Sequence, residues 1–283
     1  MIDREKVKSA FRDYTNKYNA DDGKIKLKID HTYRVAELSD RICDSLRDGL
    51  GGSMRDGISE VVNLKKDIAW LIAMLHDIGR FEQVRRYGTF SDAESVDHAE
   101  LSADILFKEG LIKEFPGEEC MGEECAGGIA EYFGIIEKSI RSHNKYRIPE
   151  DYDDMILPYA RIIRDADKID ILKVNVETPQ EIIYDITTKE LRTCCVSKEV
   201  MNAFNEEHCV LRSLKKTPID NIIGHLSLIF ELEFPVSFEI VREQGYYLKA
   251  IKIMEESENP KTRELTKVVR ERLDKFIAKS CSR

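Results

Sequence analysis

With 283 residues the chain can bury a substantial core, as one large domain or two modest ones. Its 42% hydrophobic and 34% charged content excludes a disordered chain. A net charge of -9, from 44 basic and 53 acidic residues, argues against an extended nucleic-acid surface, which needs a basic field. A small phosphorylated ligand stays open, because local charge decides a pocket.

Residues Met1 to Lys6 are polar with no apolar run behind them, so no signal peptide is expected. Nothing approaches the roughly 20 apolar residues of a membrane span. The 7 cysteines are odd in number and irregularly spaced, which fits reduced thiols and a cytoplasmic location. Cys120 and Cys125 have the spacing of half a zinc knuckle, but no second pair matches them.

Helical periodicity dominates the chain. Val7, Phe11, Tyr14 and Tyr18 make an amphipathic first helix, which Asp22 and Gly23 end. A lysine-rich link (Lys24, Lys26, Lys28) leads to a second helix, where His31 shares a face with Val35, Leu38 and Ile42. A histidine in register with an apolar stripe points into the core. Leu50 to Ser53 break that helix. Leu64, Ile68, Leu71 and Leu75 carry the third, which delivers His76 and Asp77 at its C-terminal end and stops at Gly79. A loop with Arg80, Arg85, Arg86 and Gly88 follows.

The next helix starts near Val96 to Asp97 and holds His98 in its first turn. Ile129, Phe133, Ile136 and Ile140 form a stripe that ends at His143. Ile156, Ala160, Ile163 and Asp167 recur at four, three and four, which puts Asp167, not Asp165, on the apolar face. Pro179 marks a boundary or a turn, and helical patterning resumes to a last helix over about Arg263 to Lys279. The fold expected is all-α: a helical domain over residues 1–177 and a helical extension over 178–283, packed separately or as part of the same domain. The oligomeric state is open.

A histidine–aspartate dipeptide alone says little. The set says more: His31, His76 with Asp77, and Asp167 fall at the ends or inner faces of apolar helices, where unsatisfied polar groups cost a few kcal/mol each. A divalent cation would satisfy them together, and three or four nitrogen and oxygen ligands plus water leave a coordination position open for catalysis. Such ligands suit Fe, Mn, Zn or Ni. For His98 and His143 a helix cap or dipole partner is the alternative to ligation. His208 and His225 fit no metal spacing. Tyr87, Phe90 and Tyr146 could stack a base or simply pack.

These residues resemble the HD-domain superfamily of metal-dependent phosphohydrolases, whose signature is H…HD…D on a helical bundle. The chain reads Asp30-His31-Thr32, Leu75-His76-Asp77-Ile78-Gly79 and Ala166-Asp167-Lys168, over roughly residues 25 to 172. The resemblance implies a first metal on His31, His76, Asp77 and Asp167. It implies a second on His98 and His143, with Asp77 bridging the pair. It implies two divalent ions per chain and a small phosphorylated, nucleotide-type substrate. Arg80, three residues past Asp77 where relatives often place a lysine, and Lys168 would stabilise phosphoryl charge, with Asp77 completing the catalytic set. Arg85, Arg86, Lys145 and Arg147 could line a phosphate path. Arg80 could instead form a salt bridge, and Lys168 could pair with Asp165 or Asp170.

Departures from known branches narrow the resemblance. The acidic pair of alarmone hydrolases is replaced by Gly79 and Arg80, and the Gly-Tyr-Pro of the cyclic-dinucleotide branch is absent. One-metal deoxynucleotidases need neither His98 nor His143. The layout is most similar to di-metal hydrolases of small nucleotides. A mononuclear 5'-nucleotidase and a non-catalytic, nucleotide-binding regulator are the alternatives.

Overall fold

Helix is the only regular structure among the described residues, as the all-α reading expects. The structure is a computed structural model and describes residues 2–47, 64–115, 129–179, 182–183 and 186–281. The expected break at Leu50 to Ser53 and the pair Cys120 and Cys125 lie outside them. The chain forms two compact units: residues 1–44 with 61–166, and residues 45–60 with 167–283.

In the first unit α1 (Arg4–Thr15) opens on Asp3, whose carboxylate accepts from the Glu5 and Lys6 amides and so satisfies two orphan donors. It buries Val7, Phe11 and Tyr14, and Phe11 meets Tyr33 and Phe81 edge-on at 5.6 and 5.9 Å. Helix α2 spans Gly23–Arg47, so Lys24, Lys26 and Lys28 stand in its first turns and are not a link. The reason is Asp22: its carboxylate accepts from the Lys24 amide at 2.8 Å, starting this helix rather than closing the one before.

Helix α3 (Lys66–Leu75) is buried at every position from Ile68 to Leu75. An all-round apolar helix belongs in a core, where each Leu or Ile contributes about 1.5–3 kcal/mol. It ends at His76, and α4 (Ile78–Tyr87) begins after Asp77, so Gly79, Arg80, Arg85 and Arg86 are helical. Gly79 does not stop a helix. A Cβ there would sit 2.6 Å from the Ser102 amide nitrogen and 2.9 Å from the His98 carbonyl oxygen, so glycine is what lets α4 approach α5 (His98–Ala103). The stop is Gly88, at φ +67 and bonded to the Val84 carbonyl.

Asp97 caps α5, accepting from the Ala99 and Glu100 amides. Helix α5 packs on α4 and on α6 (Phe133–Ser142), and α6 packs on α3. Helix α7 (Leu157–Glu177) begins in this unit. It is buried continuously from Tyr159 to Ala166, and Asp165 is 0% exposed whereas Asp167 is partly exposed. The stripe reading that kept Asp165 off the inner face is therefore corrected: a helix enclosed on every side has no polar face to tell positions apart.

The second unit carries α8 (Thr188–Thr193), α9 (Lys198–Asn205), α10 (Pro218–Leu226), α11 (Pro235–Gln244), α12 (Tyr246–Glu255) and α13 (Pro260–Cys281). Asp220, in the first turn of α10, accepts from the Lys216, Thr217 and Ser197 amides and the Ser197 hydroxyl, which ties α9 to α10. Phe230 stacks edge-on with Phe204 and Phe276 at 5.0 and 4.9 Å, forming the aromatic centre of this unit.

Candidate metal centre

Four helices of the first unit bring their histidines to one carboxylate. His31 comes from α2, His76 from the end of α3, His98 from the start of α5 and His143 from the end of α6. Asp77 sits at the break between α3 and α4 (φ -108, ψ 17), and its side chain makes no capping hydrogen bond to α4. All five are buried, with exposures from 0 to 5%.

The carboxylate divides the histidines into two pairs. Asp77 Oδ2 lies 3.6 Å from His31 Nε2 and 3.5 Å from His76 Nε2. Asp77 Oδ1 lies 3.4 Å from His98 Nε2 and 3.7 Å from His143 Nε2. One donor atom from each of His31, His76 and Asp77 falls within 4.8 Å of the others, and so does one from each of Asp77, His98 and His143. A cation stands on each side as well. Lys28 Nζ donates to Oδ2 at 2.6 Å, and Arg80 Nε is 3.6 Å from Oδ1.

Hydrogen bonds behind the rings fix which nitrogen faces the carboxylate. His76 Nδ1 is 2.8 Å from the Ala73 carbonyl, and His143 Nδ1 is 2.7 Å from the Ile140 carbonyl. A carbonyl only accepts, so both Nδ1 atoms carry hydrogen and the neutral rings present Nε2 lone pairs. His98 Nδ1 donates to Asp92 Oδ2 at 2.7 Å. This is the arrangement that prepares an imidazole to ligate through Nε2. Arg164 donates to the Ser142 and His143 carbonyls at 3.0 and 3.3 Å, which holds the end of α6 in place.

Electrostatics follow from the same neighbours. Burial works to raise the Asp77 carboxyl, but Lys28, His76, His143 and His98 outweigh it and hold it well below the usual carboxylate range. Burial and the Arg80 charge push His98 down to about 4, so its ring is neutral near pH 7. Burial also works to raise Asp92, and His98, Arg80 and Gln83 overcome it to keep Asp92 ionised.

The donor set fits divalent cations. Asp77 Oδ1 is buried and makes no hydrogen bond among the described residues, and an ionised carboxylate oxygen in that state costs free energy unless a cation meets it. Imidazole nitrogen and carboxylate oxygen are the ligand types that suit Zn, Fe, Mn and Ni.

Other expected site residues take different places. Arg80 Nη1 donates to Gln83 Oε1, the Phe90 carbonyl and Asp92 Oδ1 at 2.7, 2.7 and 2.9 Å, so part of its fork is bound internally. Arg85 and Arg86 both bind Glu82 and line a cleft of about 300 Å³ with Tyr14, Lys17 and Tyr18. Lys145 pairs with Glu100 at 3.3 Å, and Arg147 lies over the Tyr146 ring. Asp167 and Lys168 belong to the second unit, where Lys168 Nζ donates to the Glu231 carbonyl at 3.0 Å.

Three contributors were not singled out from sequence. Lys28 had a readable signal, because a residue three before His31 shares its helix face. Asp92 and Gln83 had none: Asp92 lies in a short 3-10 turn, and nothing local marks it as the partner of His98.

An HD-domain family model matches residues 29–172, half of the chain. No curated protein and no solved structure matches it. The matched span opens two residues before His31 and closes five after Asp167, so it encloses every histidine that faces the Asp77 carboxylate. The chain belongs to the HD-domain family, whose members are mostly metal-dependent phosphohydrolases.

Proposed function

We propose that this protein hydrolyses a phosphoester or phosphoanhydride bond of a small nucleotide-type substrate at a pair of divalent ions. His31, His76, Asp77 and Asp167 would hold the first ion, and Asp77, His98 and His143 the second. The observation that carries the reading is the division of four histidines between the two oxygens of Asp77. Asp77 so placed would be available to both ions, whereas a one-ion site would have no use for the second histidine pair. The nucleotide class rests on the likeness of this layout to di-metal HD hydrolases of small nucleotides.

When bound, such ions bring the pKa of a water toward neutrality and offset phosphoryl charge. The chain's own residues do the rest. His76 and His143, tied to carbonyls at Nδ1, keep their Nε2 atoms aimed inward without rotating. Asp92 does the same for His98. Arg80, anchored by Asp92 and Gln83, holds a fixed positive charge beside the centre, where it stabilises charge developing on the phosphoryl oxygens. The attacking water forms a bond to phosphorus as the phosphorus–oxygen bond to the leaving group breaks.

The test is turnover by full-length protein loaded with Mn or Fe, against a nucleotide panel and bis-p-nitrophenyl phosphate. Release of phosphate, nucleotide or nitrophenol is the expected result. Intact metal content with no release under either metal would instead assign the centre to a non-catalytic regulator. Among the described residues no helix is long and apolar enough to cross a membrane.

A further inference from the structure

We infer that Lys28 is a substrate-contacting residue, the ammonium that takes a non-bridging phosphoryl oxygen on the His31 and His76 side of the centre. This rests on the hydrolase reading above and assigns a residue to it. Lys28 and Arg80 stand in matching positions. Lys28 Nζ is 2.6 Å from Asp77 Oδ2, the oxygen that faces His31 and His76. Arg80 Nε is 3.6 Å from Asp77 Oδ1, the oxygen that faces His98 and His143. Both cations also flank one ring: Lys28 Nζ lies 5.4 Å and the Arg80 guanidinium carbon 5.7 Å from the centre of Phe90. A phosphoryl group seated over Asp77 would therefore meet a positive charge on either side.

The two cations differ in how they are held. Arg80 is pinned, with three acceptors on Nη1 alone. Lys28 donates one hydrogen bond among the described residues, to Asp77, while an ammonium carries three hydrogens. Its side chain is 15% exposed, and its four-carbon stem lets the head move without disturbing α2. Of the two, Lys28 is the group able to follow a phosphoryl oxygen as the substrate arrives and leaves.

The experiment compares the full-length protein with Lys28→Gln and Lys28→Arg. It measures metal content per chain, affinity of the metal-loaded protein for inorganic phosphate by calorimetry, and kcat and KM on bis-p-nitrophenyl phosphate. Lys28→Gln is expected to keep its metal and its fold by circular dichroism while binding phosphate roughly tenfold or more weakly. Lys28→Arg should recover most of that affinity. Unchanged phosphate affinity in Lys28→Gln would overturn the inference and leave Lys28 as a neutraliser of Asp77. Loss of metal in Lys28→Gln would overturn it too, since the residue would then be supporting the centre. If the wild-type protein binds metal and phosphate but turns over no ester, the hydrolase reading fails, and the phosphate comparison still decides the role of Lys28.

Discussion

His98 and His143 meet Nε2 to Nε2 at 3.0 Å, with both Nδ1 hydrogens already donated, one to Asp92 and one to the Ile140 carbonyl. Two lone pairs cannot share that distance without something positive between or beside them. The Asp77 Oδ1 atom, 3.4 and 3.7 Å from the same two nitrogens, adds negative charge to the spot. A divalent ion resolves all three.

If the centre holds two ions as proposed, replacing one of these rings should separate the second from the first. His98→Ala is expected to lose one metal equivalent per chain and most of the phosphoesterase activity, while the ion on the His31 and His76 side stays bound. Elemental analysis of protein purified without chelator gives the count. Full activity with a single remaining ion would identify a mononuclear nucleotidase.

Asp92 would act on the proposed second ion one step removed, through His98. Its carboxylate is an acceptor only: Oδ2 takes the His98 Nδ1 hydrogen, and Oδ1 takes hydrogens from Arg80 and Gln83, both at 2.9 Å. Asp92→Asn keeps the shape but replaces one acceptor oxygen with a donor. Either His98 or the Arg80–Gln83 pair must then face a hydrogen with a hydrogen. The expected loss is about 10–100-fold in affinity for the second ion, with the first unaffected. Titration with limiting metal would show two distinct affinities moving apart; an equal change in both would place Asp92 in general folding.

Part of this centre was legible in the sequence because His31 and His143 lie on strong apolar periods. His31 follows the Val35, Leu38 and Ile42 stripe, and His143 closes the Ile136 and Ile140 stripe. Glycine chemistry misled at Gly79, which has the composition of a helix stop while its tertiary role is close packing. Asp22 misled in the opposite sense, since an Asx residue between two periodic stretches can end one helix or begin the next. Asp92 was invisible because its meaning is entirely tertiary: it reaches back to Arg80 on α4 and forward to His98 on α5. Asp165 was misjudged because periodicity loses its information once a helix is buried all round.

Gly79 offers a test whose sign is decisive. In an exposed helix, alanine is preferred over glycine by about 1 kcal/mol, so a purely helical role predicts that Gly79→Ala stabilises the fold. The close approach to Ser102 and His98 predicts the reverse. The clash is with backbone atoms that cannot swing aside, and overpacking of this kind costs about 1–3 kcal/mol. Urea unfolding should show a lower midpoint for Gly79→Ala with an unchanged slope. Because the displaced strut is the first turn of α5, the variant should also bind its second ion less tightly.

Metal removal should destabilise the protein and expose a pH dependence that the ions mask. An ion bound only to the folded state adds about 4 kcal/mol when its free concentration is 1,000 times its dissociation constant, so chelation lowers the melting temperature. In the chelated protein, burial and Arg80 hold His98 at about 4 against an ordinary 6.5. Between those values the unfolded chain binds the proton and the folded chain does not. Stability therefore falls as pH drops from 6.5 toward 4, by an amount on the order of a few kcal/mol. The depressed Asp77 and Asp92 carboxyls act in the same direction at lower pH: they stabilise the fold above their ordinary values near 3.8 and lose that contribution as acid protonates them. Thermal melts of chelated wild type and His98→Ala across this range separate the two windows. Both proteins should lose stability from pH 6.5 downward, because burial and Lys215 also hold His225 well below 6.5, and the wild type should fall more steeply than His98→Ala until the carboxyls begin to titrate. Parallel curves for the two proteins would show that the His98 ring accepts a proton freely, and so is not enclosed as the structure places it.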